Sequence, residues 1–181
     1  METAWYFRLF YVPILTFAIS LLLYGIIRAK RMGSPQGGKS WMIGSMVSLI
    51  IFIVLLWFVP FRFNLAFWIG LCIVVLGQVV FALGYSAMRE HPEKKQTVVD
   101  WGIYGVSRHS HVLAGIITNL GVIIMGWNTA SLVYVLVWVY FVLDVIFSHL
   151  YVLMEDRVNV EKFGQEYVDY MKRVPRYLFV K

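Results

Sequence analysis

Residues 65–88 read Leu65-Ala-Phe-Trp-Ile-Gly-Leu-Cys72-Ile-Val-Val-Leu-Gly-Gln78-Val-Val-Phe-Ala-Leu-Gly-Tyr-Ser-Ala-Met88, an apolar run broken only by Gln78. A helix crossing the hydrocarbon core of a bilayer needs roughly 20 residues of this kind. The rest of the chain has the same character: of 181 residues, 60% are apolar and 14% are charged, and the mean hydropathy is +0.73. A soluble domain of this length cannot bury so much apolar surface, so the sequence predicts an all-α membrane protein that partners with the lipid bilayer.

Four more segments meet or approach the spanning length: 9–27, with Pro13 near its outer end; 41–59, uncharged throughout; 111–126, short and carrying Asn119; and 130–153. The connection Gly126-Trp127-Asn128-Thr129 is so brief that the last two spans are expected to form an antiparallel helix hairpin. The prediction is therefore one membrane domain over residues 1–181, with about five transmembrane helices. Its polar segments would be 89–110 and 155–181. The first apolar stretch is too long for a signal-peptide core and lacks a basic lead-in, which favours a retained helix.

Charge sets the orientation. Arg28, Lys30, Arg31 and Lys39 follow the first span, Arg89, Lys94, Lys95 and Arg108 follow the third, and the remaining six basic residues follow the fifth; only Arg8 and Arg62 fall on the other side. Positive residues stay preferentially in the cytoplasm, so the amino terminus is expected outside and the carboxyl terminus inside. The net charge of +6 then belongs to the membrane surface, and nucleic acid is not an expected partner. The single Cys72 lies within a span, and no glycosylation sequon occurs.

One motif is rejected on context. Gly33-Ser-Pro-Gln-Gly-Gly38-Lys39-Ser40 matches the phosphate-loop pattern G-x-x-x-x-G-K-[ST]. That loop works between a sheet strand and a helix, and this chain offers no strand. Residues 33–40 are expected to be a cytoplasmic linker that binds no nucleotide triphosphate.

Chemistry must reside in the polar segments and their flanks. The run Gly102-Ile-Tyr104-Gly-Val-Ser-Arg108-His109-Ser110 leads straight into the fourth span, with Ser107 or Ser110 as the expected cap. A helix start flanked by Arg and His suits an anion, although the same residues also anchor helices at lipid headgroups. Asp144, Ser148, Tyr151 and Glu155 recur at intervals of 4, 3 and 4 and share one helical face. That polar stripe is either a substrate cavity or an inter-helix hydrogen bond, from Asp144 to Asn119 or Gln78. His149 lies off the stripe and reads as structural. In the tail, Val160, Phe163, Tyr167, Tyr170 and Val174 form an amphipathic helix that would either lie on the headgroups or fold back as a lid, with a bend at Gly164.

Two cytoplasmic segments resemble the isoprenylcysteine carboxyl methyltransferase and phospholipid methyltransferase superfamily. Its motif G-[IL]-Y-x-x-x-R-H-P-x-Y-x-G is met by Gly102, Ile103, Tyr104, Arg108 and His109, while Ser110, Val112 and Ala114 replace its proline, tyrosine and glycine. Its paired acid followed by F-G-x-E-Y-x-x-Y is met by Glu155-Asp156, then by Phe163-Gly164-Gln165-Glu166-Tyr167 and Tyr170, with Asn159 where leucine is usual. The resemblance implies S-adenosylmethionine bound at the cytoplasmic face, a lipid-like or prenylated methyl acceptor entering from the bilayer, and no metal. It further implies that Gly102, Tyr104, Arg108, His109, Glu155, Asp156 and Tyr167 hold the cofactor. Arg108 and Glu155, with Asp144 deeper on the stripe, are the expected catalytic residues. A sterol-reductase-like enzyme using NADPH, or a small transporter built on Asp144, Gln78 and Asn119, are the alternatives. The motifs leave open whether the acceptor is a carboxylate, thiol, amine or lipid headgroup.

Overall fold

The computed structural model describes residues 38–59, 61, 63–90, 97–127 and 131–178. The expected span at 9–27, and most of the rejected phosphate-like loop, lie outside them. Every regular element among the described residues is helical: α1 (Gly38–Trp57), α2 (Leu65–Arg89), a 3₁₀ turn (Gly102–Gly105), α3 (Ser110–Met125), α4 (Leu132–Phe163) and α5 (Gln165–Arg173). Local chemistry sets the boundaries. The Asn64 side chain accepts from the Phe67 N–H at 2.9 Å and starts α2, which ends on Arg89, a cation at the negative end of the helix dipole. The Ser131 hydroxyl starts α4 in the same way, accepting from the Tyr134 N–H at 3.2 Å.

Two helices, α2 and α4, are long and apolar enough to cross a membrane. Only 28% and 11% of their most apolar windows are buried, so most of that surface faces outward. Trp68, Val75, Leu76 and Val79 on α2, and Val135, Val142, Leu143 and Ile146 on α4, are each more than half exposed or close to it. Water does not tolerate an apolar face of that extent; lipid does. At 16 residues, α3 is about 24 Å long and falls short of a full crossing.

The tightest seam joins α2 to α3, not α3 to the fifth span. Gly70, Gly77 and Gly84 recur every seven residues on α2 and lie against Gly121, Thr118 and Ser110 on an antiparallel α3. A methyl group added at Gly77 would collide with Thr118 Oγ1 and meet the Thr118 backbone nitrogen at 2.9 Å. Backbones approach this closely only where side chains are absent, the packing mode of helices in lipid. Gln78 adds a hydrogen bond to Thr118 at 3.3 Å. Near the opposite end from the polar segments, Phe52, Leu56, Phe67, Ile123 and Val137 close a core shared by all four long helices.

The last long helix departs from expectation. The apolar pattern predicts a span ending at residue 153 and then a tail, but α4 continues without interruption to Phe163. Glu155, Asp156 and Asn159 therefore stand on a helical extension of that apolar stretch. Gly164 then adopts φ +58°, a conformation that side chains rarely take, and the chain breaks into α5 as the glycine predicts. α5 folds back as a lid: Tyr167, Tyr170 and Val174 pack on Val98 of the segment before the 3₁₀ turn.

Candidate functional site

Three stretches far apart in sequence meet where α4 leaves its apolar portion. The first is the turn into α3. The Trp101 indole donates to the Ala87 carbonyl at 2.9 Å, pinning the loop to the end of α2, and Gly102 at φ +58° packs against Ala87 to begin the 3₁₀ turn. Arg108 and His109 follow that turn and are 6% and 1% exposed, which no basic residue tolerates without partners. The second stretch supplies those partners, because consecutive positions on α4 put Glu155 and Asp156 side by side, both buried.

His109 bridges the two acids: its Nε2 lies 2.8 Å from Asp156 Oδ1, and its Nδ1 lies 3.4 Å from Glu155 Oε2. Arg108 Nη2 stands 3.6 Å from Asp156 Oδ2. The third stretch is α5 and the strap that follows it. Tyr167 donates its hydroxyl to Asp156 Oδ1 at 2.8 Å, and Tyr170 donates to the Tyr104 carbonyl at 2.7 Å. From the strap, Arg176 Nε donates to Asp156 Oδ2 at 3.2 Å.

Burial pushes the Asp156 carboxyl up, but the hydrogen bond and charge of His109, the Tyr167 hydroxyl and the Arg108 charge outweigh it and hold the group at about 2. Asp156 is thus ionised and can only accept, so His109 carries a proton on Nε2. Burial, followed by the Asp156 charge, pushes the Tyr167 phenol up, keeping it a donor. Burial does the same to Tyr170.

The strap also corrects two expectations about the start of α3. Neither serine caps it: His109 occupies the cap position without a capping side-chain bond, the Ser107 hydroxyl donates to the Arg176 carbonyl at 3.2 Å, and Ser110 Oγ has no partner among the described residues. The backbone N–H groups offered to an anion at Arg108 and His109 instead donate to the carbonyls of Pro175 and Arg176, at 3.1 and 3.3 Å. What remains for a ligand is the Arg108 side chain, whose Nε and Nη1 are buried without a hydrogen-bond partner among the described residues.

Of the expected site residues, Tyr104, Arg108, His109, Glu155 and Tyr167 line one small cavity, together with Asn159 and Tyr170. Its free space of about 20 Å³ admits a water molecule and little else. Asp156 lines instead an open groove of about 430 Å³, together with Leu153, Arg157, Val160, Glu161, Met171 and Arg176. Gly102 is not in the cavity wall; it shapes the turn. Asp144 is also elsewhere, about 16 Å further along α4 from Glu155. It accepts from Asn119 Nδ2 at 3.2 Å and from Ser48 Oγ at 3.4 Å, the inter-helix bond that was one of its two expected roles. His149 proves to be tied to the strap, with its Nδ1 lying 3.3 Å from the Tyr177 hydroxyl.

Arg176 was missed by sequence reasoning. It belongs to no periodic pattern, and only Pro175, which ends α5's reach and turns the chain, hints that the strap returns. Comparisons with protein-family models, with curated proteins and with solved structures each find no match.

Proposed function

We propose that the chain is a multi-pass membrane methyltransferase that takes its methyl group from S-adenosylmethionine and passes it to a lipid-soluble acceptor at the cytoplasmic face. In this proposal the five-span plan stands, with the amino terminus outside and the site inside. The observation that carries it is the convergence of Arg108-His109 with Glu155-Asp156 across 47 residues in one buried cluster, while Arg108 keeps two donors in reserve. The two halves of the family-like motif thus share one place and one chemistry.

The residues fit the cofactor. Two unused charged donors on Arg108 suit an anionic group such as its carboxylate, and Glu155 and Asp156 suit its ammonium or ribose hydroxyls. When bound, the cofactor supplies an electrophilic methyl on a sulfonium: the acceptor's lone pair forms the new bond, and the carbon–sulfur pair leaves with sulfur. The protein's part is to orient and to exclude water. Tyr167 and Tyr170 cover the cluster from α5, and that cover keeps water out. A ligand larger than water requires α5 and the strap at 174–178 to lift, because the closed cavity holds only about 20 Å³.

Titration calorimetry on purified protein tests the proposal. S-adenosylmethionine should bind and NADPH should not, and Arg108→Ala and Glu155→Ala should each weaken binding by about 1.5–3 kcal/mol, the scale of a hydrogen bond to a charged group. Unchanged affinity in both variants, or a preference for NADPH, would remove its basis.

A further inference from the structure

α5 and the strap cover the buried cluster by different means. α5 and its cap residue supply Tyr167, Tyr170 and Val174, which are buried against Val98. The strap residues Pro175, Arg176, Tyr177 and Leu178 belong to none of the apolar clusters among the described residues; the first three are half-buried and Leu178 is 44% exposed. Polar bonds hold the strap instead. The Pro175 and Arg176 carbonyls accept from the Arg108 and His109 amides, the Arg176 carbonyl also accepts from Ser107, Arg176 Nε donates to Asp156, and the Tyr177 hydroxyl meets His149. A segment that buries so little apolar surface opens locally at a fraction of the global cost, so the strap opens before α5.

Opening it strands no charge at Asp156, which keeps Arg108, His109 and Tyr167 when Arg176 leaves. What it releases is the start of α3, where two consecutive backbone N–H groups lie at the positive end of a 16-residue helix. The Arg108 side chain belongs to the same place: it is 3% exposed, lines the small cavity, and has Nε and Nη1 without a hydrogen-bond partner among the described residues. Two amides and two charged donors from consecutive residues are together the complement of a carboxylate. In the closed chain the strap carbonyls take the amide half.

We propose that the strap is an autoinhibitory latch: the Pro175 and Arg176 carbonyls hold the amides that the carboxylate of a bound ligand requires, so strap and ligand exclude one another. The ligand rests on the methyl-transfer reading, whereas the latch rests on the strap's own bonds. Apparent affinity scales with the fraction of chains that are open, so a weaker latch gives tighter binding. A strap that only stabilised the site would have the opposite effect.

Two measurements on the full chain in detergent test the latch. In the first, hydrogen exchange resolved to single amides, Arg176→Ala should speed exchange at Arg108 and His109 about tenfold, the scale of one hydrogen bond to a charged group, and leave Thr118 of α3 and Met171 of α5 unchanged. In the second, calorimetric titration, the same variant should bind S-adenosylmethionine several-fold more tightly than the wild type. Tyr177→Phe, which removes the bond to His149, should move both readouts the same way by a smaller factor, and it decides the matter if Thr118 exchange shows Arg176→Ala to be misfolded. Unchanged exchange at Arg108 and His109 would overturn the latch. Faster exchange with equal or weaker binding would overturn the competition alone and leave the methyl-transfer reading in place. Faster exchange with no binding by wild type or variant would overturn that reading, and the competition with it.

Discussion

Asp144 and Asp156 stand on the same helix, about 18 Å apart along its axis, in opposite company. Asp144 meets an amide and a hydroxyl, from Asn119 on α3 and Ser48 on α1, and Ser48 is itself hydrogen-bonded to Tyr140. Asp156 meets two guanidiniums and an imidazole, plus the Tyr167 phenol. The neutral set ties three helices together, and an amide in place of the carboxylate keeps the Asn119 bond on its one oxygen and can donate its NH2 to the Ser48 hydroxyl. The charged set holds together only as a whole, since removal of its shared anion leaves buried cations facing one another. A carboxylate surrounded by neutral donors serves packing, and one surrounded by cations gathers a site.

The comparison can be broken most severely at Asp156. Asp156→Ala strands Arg108 and His109 in a buried setting and frees the strap, and should cost about 3–5 kcal/mol of stability, the usual scale for breaking a buried pair from one side. Thermal unfolding in detergent measures it; a loss below 1 kcal/mol would mean that the cluster relaxes around the missing anion.

Acid probes the same group without mutation. The folded-state value of Asp156, about 2, lies below its ordinary 3.8, so its stabilising contribution is complete above about pH 4 and is lost as the pH falls toward 2. That contribution is on the order of 2 kcal/mol. Unfolding midpoints from pH 6 to 2 should show a fall in the wild type below pH 4 that is shallower in Asp156→Asn; identical slopes would contradict the assignment.

Asp144→Asn sharpens the contrast from the other side and should have the smallest effect. Hydrogen bonds between helices in lipid average about 0.6 kcal/mol, so stability should change by no more than about 1 kcal/mol. Affinity for S-adenosylmethionine should be unchanged. A loss of cofactor affinity would erase the distinction drawn between the two aspartates.

The helices were largely legible because apolar length dictates them: the expected stretches at 41–59, 65–88 and 111–126 each match an observed helix to within about three residues. The continuation of α4 past residue 153 was not, since polar residues end an apolar pattern without ending a helix, and only Gly164 supplies the backbone reason to stop. Within the site, Arg108, His109, Glu155, Asp156 and Tyr167 were legible through their spacing in the two motifs. Pro175 and Arg176 were not, because they contribute backbone carbonyls, which every residue possesses and no sequence pattern marks. The α2–α3 seam left a trace that could have been read: Gly70, Gly77 and Gly84 repeat at sevens on one face.

The strap carbonyls at Pro175 and Arg176 also impose a schedule on biogenesis. The start of α3 emerges from the ribosome well before Pro175 and Arg176, whose carbonyls satisfy the Arg108 and His109 amides from 67 positions later. Throughout that interval the nascent chain carries Arg108 and His109 without the acids or carbonyls that will receive them. Synthesis of α4 delivers the acids, and synthesis of the strap closes the assembly, so the site is completed by its latest-made part. A chain halted before residue 175 would keep its helices and its Arg108–Asp156 pair but would lack the carbonyls that receive the Arg108 and His109 amides.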